Sequence, residues 1–174
     1  MSDAYTGGCA CGAVRYEISA EPIFMNDCQC RDCQRTSGTG HGSYLTFPSR
    51  TQVKVAGVAT RWDMVGDSGN KKTRAFCPAC GSPVYLTFAA MPDLFTVHAA
   101  SLDDSSRYAP QVLTYGVRGH AWDHVDPALP KFEKMPPARG AAFRPAVGMA
   151  VQSKRVKRRP PSSWTMTRSW SWSG

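Results

Sequence analysis

The chain has 174 residues, enough for one domain of about 100–150 residues and an extension. Its hydrophobic content of 42% and charged content of 20% are near the averages of globular proteins and predict a packed core. No stretch approaches the roughly 20 apolar residues of a membrane-spanning helix, and the N-terminus lacks the basic and apolar segments of a secretory signal. We therefore expect a cytoplasmic protein with no membrane partner and with reduced cysteines.

The formal net charge of +8 belongs to one end of the chain. Through residue 137 the 13 basic and 13 acidic residues cancel, and 8 further basic residues lie in the last 37 positions. We predict a domain over residues 1–136 and a basic, Pro/Ser/Trp-rich, disordered tail over 137–174. Basic residues and tryptophans in this tail could contact nucleic acid, although a solvated extension is the simpler interpretation of such a charge block.

Short runs of alternating apolar and polar residues predict strands along the domain. One or two helical turns are expected at 32–36, ending at Ser37 and Gly38, and a second short helix or turn at 102–108. Trp62, Phe47 and Tyr85 are predicted to be core residues. The fold class is therefore mostly β with few short helices. The predicted strands are 13–18, 43–47, 52–56, 59–63, 73–76, 84–87, 94–98 and 111–115.

The seven cysteines fall into three clusters with the patterns C-x-C, C-x-C-x-x-C and C-x-x-C. Free buried cysteines, which behave as small hydrophobic residues, would not be expected to cluster at such short spacings. Disulfides are disfavoured by the odd count and by the absence of a secretory signal. The clusters therefore indicate metal sites. Their members are Cys9 and Cys11; Cys28, Cys30 and Cys33; and Cys77 and Cys80.

Zinc in a structural site takes four ligands at the corners of a tetrahedron. Cys77 and Cys80 lie on a tight turn, where Pro78 fixes one dihedral angle and Gly81 permits a left-handed exit. Such a zinc knuckle needs a partner pair, and the C-x-C at the N-terminus supplies two more sulfurs. The predicted structural zinc site is therefore formed by Cys9, Cys11, Cys77 and Cys80.

Cys28, Cys30 and Cys33 then remain as three ligands without a fourth cysteine. Three protein ligands with one open position are typical of a catalytic zinc, at which water or substrate completes the coordination. A histidine could instead close this site and make it inert, and His41 is the nearest in sequence. His41 is also a candidate general base, and a loop histidine exposed to solvent is the alternative.

The segments GCACGAVRY at 8–16, CQCRDCQR at 28–35 and FCPACGSP at 76–83 together resemble the glutathione-dependent formaldehyde-activating enzyme family, also called the CENP-V/GFA domain family. The resemblance continues through Ser101-Leu102-Asp103-Asp104 and Trp122 and spans about residues 5–136. It implies an Mss4-like, zinc-stabilised β-sheet fold with two Zn²⁺ ions per chain, one on Cys9, Cys11, Cys77 and Cys80 and one on Cys28, Cys30 and Cys33. Relatives often have histidine where this chain has Gln29.

The resemblance also implies a carbon–sulfur lyase, similar to S-(hydroxymethyl)glutathione synthase, whose partners are a thiol such as glutathione and an aldehyde such as formaldehyde. An open zinc could deprotonate a thiol or polarise an aldehyde oxygen. Arg31, Arg35 and Arg74 are candidates for binding a substrate carboxylate. The alternative function is a non-catalytic zinc-stabilised binding module whose basic tail contacts nucleic acid or acidic partners. The oligomeric state is not predicted.

Overall fold

A computed structural model describes residues 3–67 and 69–136, and this part of the chain is mostly β, as predicted. The predicted tail lies outside the described residues. One α-helix, α1, spans Arg31–Ser37, and its C-terminal Gly38 has the left-handed conformation (φ 71°) that glycine adopts without steric cost. The strands are β1 Tyr5–Gly8, β2 Arg15–Ile18, β3 Phe24–Cys28, β4 Gly42–Phe47, β5 Val53–Ala56, β6 Thr60–Val65, β7 Lys71–Phe76, β8 Pro83–Phe88, β9 Met91–His98 and β10 Val112–Thr114.

The strands form two sheets. A three-stranded sheet has the order β1-β2-β5, and a seven-stranded sheet has the order β10-β3-β4-β9-β8-β7-β6. The pairings are antiparallel except for β10, which runs parallel to β3. This order places β3, β4, β9, β8 and β7 side by side, although they are far apart in sequence.

The main core lies where residues of both sheets pack together. Tyr16 and Ile18 of the small sheet cluster with Leu45, Phe47 and Val97 of the large sheet, all nearly or fully buried. Successive side chains of a strand point to opposite faces. Tyr44 therefore lies on the other face of the large sheet, where it packs in a second, smaller cluster with three cysteines.

The eight predicted strands all overlap strands of the structure, but β1 and β3 are additional. Alternation did not reveal β3 because Asn26 and Asp27 are polar and yet buried. Their polarity is satisfied by neighbours distant in sequence: Asn26 Nδ2 donates to Thr114 Oγ1 at 3.0 Å, and Tyr108 Oη donates to Asp27 Oδ1 at 2.9 Å. The predicted second helical segment is a short 3₁₀ turn at Ser105–Arg107.

The prediction that Trp62 is a core residue is wrong. Phe47 and Tyr85 are buried as expected, but Trp62 is 56% exposed. It lies on β6, an edge strand of the large sheet, which pairs only with β7 among the described strands. Within residues 3–67 and 69–136, no helix is both long and apolar enough to cross a membrane.

Candidate metal centres

The first group of cysteines lies on two tight turns. In one turn Gly12 N–H donates to Cys9 O, and in the other Gly81 N–H donates to Cys77 O at 2.9 Å. Gly12 and Gly81 both have positive φ, 78° and 73°, which explains why glycine follows each cysteine pair. Ser82 links the turns because its Oγ accepts from Ala10 N–H at 3.3 Å.

The four sulfurs of these turns fit a tetrahedral zinc. Zn–S bonds of about 2.3 Å require sulfurs roughly 3.8 Å apart. The Sγ of Cys11 lies 3.5 Å from that of Cys9 and 3.7 Å from that of Cys77, and all four, including Cys80, lie within 4.8 Å of one another. Val14 N–H donates to Cys9 Sγ and lowers the pKa of that thiol. A hydrogen bond with Ser82 lowers the pKa of Cys80 to about 5. A hydrogen bond with the Ala13 backbone lowers the pKa of Cys11, but those with the other cysteines outweigh it and raise that pKa to about 11, and a bound zinc would favour the thiolate at every position.

The second group is formed where β3 ends and α1 begins. Cys28 is the last residue of β3, Cys30 is the N-cap of α1 and Cys33 lies in its first turn. Gln29 N–H donates to Thr114 O at 2.9 Å and fixes the connection to β10. One short loop thus directs three sulfurs to one point, and all three cysteines are buried.

These three sulfurs lie within 4.8 Å of one another, and no histidine, carboxylate or fourth cysteine of the described residues joins the group. Hydrogen bonds with Cys28 and then Cys30 lower the pKa of Cys33, with smaller contributions from Tyr44 and Arg74. Hydrogen bonds with Cys30 and Cys33 raise the pKa of Cys28. The three thiols therefore affect one another's ionisation, and a bound zinc would stabilise all three as thiolates.

Arg74 and Tyr44 lie beside the three-cysteine group. Arg74 Nη2 donates to Cys33 Sγ at 3.8 Å, so of the three arginines suggested by sequence the structure brings Arg74 to these cysteines. Arg31 instead donates to Gln34, and Arg35 is exposed. Burial, and then the charge of Cys33, raise the pKa of Tyr44 well above its usual range. The sequence analysis missed Tyr44, although strand alternation places it on the face opposite Leu45.

A cleft of about 180 Å³ reaches Arg74, which contacts Cys33, and none of the three cysteines lines it. His98, Thr36, Pro83 and the exposed Trp62 line it as well. The His98 ring also packs against the Tyr44 ring in a tilted arrangement, with ring centroids 4.9 Å apart. Burial, and then the charge of Arg74, lower the pKa of His98 to about 4, so this imidazole is neutral at pH 7.

His41 is not brought into the three-cysteine group. Its Nδ1 lies 2.7 Å from Asp123 Oδ1, and its Nε2 lies 3.8 Å from Asp27 Oδ1. Asp27 and Cys28 are consecutive in β3 and therefore point to opposite faces of the sheet. His41 is thus associated with a polar network next to the cysteine loop, and its role as a fourth ligand or base gains no support from this position.

Asp123 connects three segments around the cysteine loop. Its carboxylate is 4% exposed and accepts from Gln29 Nε2 at 2.8 Å while it contacts His41. A Cβ at Gly40 would lie 2.2 Å from Asp123 Cγ, which explains the glycine there. Gln29 separates Cys28 from Cys30, so this carboxylate holds the loop that carries them. Sequence offered no signal for this contact, because Gln29 and Asp123 are 94 residues apart.

We expect Asp123→Asn to weaken metal binding by the three-cysteine group about 10–100-fold, the usual effect of removing an outer partner of a metal site. The amide cannot accept hydrogen bonds from both Gln29 and His41 as the carboxylate can. Competition with a chromophoric chelator would measure the affinity. The control is Asp126→Asn, because Asp126 is exposed and lies three residues after Asp123 in the sequence. Equal metal affinities in the two variants would contradict the prediction.

Comparison with known proteins places the chain in a family. Residues 4–118 match the family model described as glutathione-dependent formaldehyde-activating enzyme. This match covers more than half of the chain and includes all seven cysteines. The chain belongs to the glutathione-dependent formaldehyde-activating enzyme family.

Two individual proteins are similar to this family member. A protein of Halomonas elongata named "Putative glutathione-dependent formaldehyde-activating enzyme" is 28% identical over 109 residues, which cover 60% of this chain and 69% of that protein. A crystal structure of a Rhodobacter sphaeroides protein has a TM-score of 0.48 and 22% identity, covering 63% of this chain and 99% of its own.

Proposed function

We propose that this family member is a zinc-dependent carbon–sulfur lyase that reversibly joins a thiol, such as glutathione, to a small aldehyde, such as formaldehyde. The observation that carries the proposal is the three-cysteine group. It is buried, it fits a metal ion, and no fourth protein ligand of the described residues completes it. The four-cysteine group has the ligand number of a structural site.

In this proposal Cys9, Cys11, Cys77 and Cys80 hold one Zn²⁺ and Cys28, Cys30 and Cys33 hold the other. A zinc with an open position lowers the pKa of a thiol and polarises a carbonyl oxygen. The protein supplies an enclosed setting, since Leu86, Tyr115 and Phe88 pack around the three cysteines. Such apolar walls exclude water and strengthen charge interactions at the reacting atoms.

Charge at this site also favours an anionic sulfur. Arg74 is 6% exposed and contacts Cys33, so its fixed positive charge is close to the metal ligands. His98 is neutral at pH 7 and adds no second cation. The cleft with Arg74 and Trp62 in its wall is where we propose that the thiol end of a substrate approaches the group.

The test measures the exchange of formaldehyde with glutathione in the presence of the full chain loaded with zinc. Two-dimensional exchange NMR would monitor this exchange. We expect the protein to accelerate formation and breakdown of the S-hydroxymethyl adduct in proportion to its concentration. A panel of other thiols and aldehydes would define the substrate. The proposal is wrong if the protein holds two zinc ions and yet accelerates exchange with none of the thiol and aldehyde pairs. A non-catalytic zinc-stabilised module would then be the better interpretation.

A further inference from the structure

Two buried polar side-chain atoms in residues 3–67 and 69–136 have no hydrogen-bond partner, the hydroxyl of Tyr44 and Nη1 of Arg74. The two residues are only 4% and 6% exposed. Buried polar groups in native proteins are normally hydrogen-bonded, and an exception calls for an explanation such as a catalytic role. Both exceptions lie at the three-cysteine group.

Contacts of the rest of the Arg74 guanidinium fix the position of Nη1. Nε donates to Met64 Sδ at 3.2 Å, and Nη2 donates to Cys33 Sγ at 3.8 Å. The planar guanidinium is thereby held at two points, while its third nitrogen has no acceptor among the described residues. A rigid fork with one free arm is suited to binding an oxygen that carries negative charge.

The hydroxyl of Tyr44 lies near the three-cysteine group as well. A Cβ at Gly42 would lie 2.4 Å from this oxygen, and Gly42 pairs with Cys28 across β3 and β4. The hydroxyl is thus above the end of the strand that delivers the first cysteine. His98, the partner of Tyr44 across β4 and β9, packs against its ring and fixes its orientation.

We propose that the Tyr44 hydroxyl and Arg74 Nη1 together donate hydrogen bonds to the aldehyde oxygen as the carbon–sulfur bond forms; this rests on the function proposed above. A lone pair of the substrate sulfur forms the bond to the carbonyl carbon, and the π pair of the C=O bond moves to oxygen. That oxygen then takes the proton that the thiol released and becomes the hydroxyl of the adduct. Fixed donors aimed at developing negative charge are a major source of rate enhancement in enzymes.

The simpler role for both residues is support of the Cys33 thiolate. That role requires metal binding to weaken when either donor is removed, because outer partners tune ligand strength. The two roles therefore differ in a property that can be measured without substrate.

The decisive variant is Tyr44→Phe, with Arg74→Lys as the second. We expect Tyr44→Phe to lower kcat about 100–1,000-fold, as when one oxyanion donor is removed, with KM for glutathione changed less than about threefold. Zinc content and the charge-transfer bands of the cobalt(II)-substituted protein should stay unchanged. Arg74→Lys keeps the charge but loses the fork, and a fall in kcat of at least about tenfold is expected.

The control is Tyr16→Phe, which removes a buried hydroxyl that is bonded to Ser101 Oγ at 2.9 Å in the main core. We expect this control to lower Tm and leave kcat unchanged. Tyr44→Phe should lower Tm less than this control, because no described residue lies within ordinary hydrogen-bond geometry of the Tyr44 hydroxyl.

Three results would overturn the inference. Full activity of Tyr44→Phe would do so while leaving the proposed function intact. A loss of activity that accompanies loss of the second metal, or altered cobalt bands, would assign both residues to thiolate support. A wild-type protein inactive with every thiol and aldehyde would overturn the proposed function and the inference together.

Discussion

Replacing Cys77 by serine is expected to unfold the domain rather than only remove one metal ion. Cys77 is fully buried in the main core cluster, and its sulfur lies close to those of Cys9 and Cys11, so a zinc ion bound there would connect segments almost 70 residues apart. Structural zinc contributes on the order of 10–16 kcal/mol in small domains, whereas whole domains are stable by only about 5–15 kcal/mol. Loss of the ligand therefore removes an amount of free energy comparable to the entire stability.

Far-UV circular dichroism and thermal unfolding of Cys77→Ser, with metal analysis, would measure this effect. Ser82→Ala is the matched control because it removes the hydrogen bonds to Ala10 and Cys80 but no sulfur ligand. We expect that control to remain folded with both metals and to lose only about 1 kcal/mol per hydrogen bond. A Cys77→Ser protein that unfolds cooperatively at the wild-type temperature would show that this group holds no structural metal.

Cys30→Ser is expected to abolish the proposed lyase activity while the domain stays folded. Cys30 belongs to the smaller cluster and not to the main core, so its loss leaves the two-sheet packing and the four-cysteine group intact. We expect the zinc content to fall from two ions to one. A metal ion supplies several kcal/mol of transition-state stabilisation, so kcat/KM should fall at least about 10³-fold.

Metal analysis, circular dichroism and the exchange assay on the same sample would separate the possible outcomes. Asp32→Asn in the same helix is the control, since its carboxylate makes no described contact with the cysteines, and it should keep both metals and the activity. Loss of the fold together with the second metal would instead give that metal a structural role. Retained activity with one metal would remove the three-cysteine group from the chemistry.

The cysteine partition could be predicted from sequence because each cluster is a local structure. The spacing in C-x-C and C-x-x-C sets how two sulfurs can meet on a turn, and glycines at Gly12 and Gly81 supply the positive φ that the turns require. The alternation of apolar residues likewise located eight of the strands, since the period of two is a local property of the chain. Neither prediction depended on knowing which strands are neighbours.

The surroundings of the three-cysteine group could not be predicted, because the register of a sheet formed from distant segments decides them. The order β3-β4-β9-β8-β7 brings Tyr44, His98 and Arg74 to one face beside Cys33. The same pairing places His41 with Asp27 and Asp123 instead, although sequence proximity made it the nearest candidate ligand. Contacts of this kind depend on long-range pairing rather than on local propensity.

Sequence by itself therefore determined the mostly β class, the seven cysteines and their division into a group of four and a group of three. Local chain geometry and zinc's preference for four ligands were sufficient for that division. Only the tertiary structure decided which groups face the three cysteines and placed the exposed Trp62 on an edge strand. It also left Tyr44 and Arg74 each with a donor that no described residue pairs. Those features follow from packing between residues that are far apart in sequence. In such packing, a polar group that finds a partner has a structural role, and one that finds none is available for a substrate.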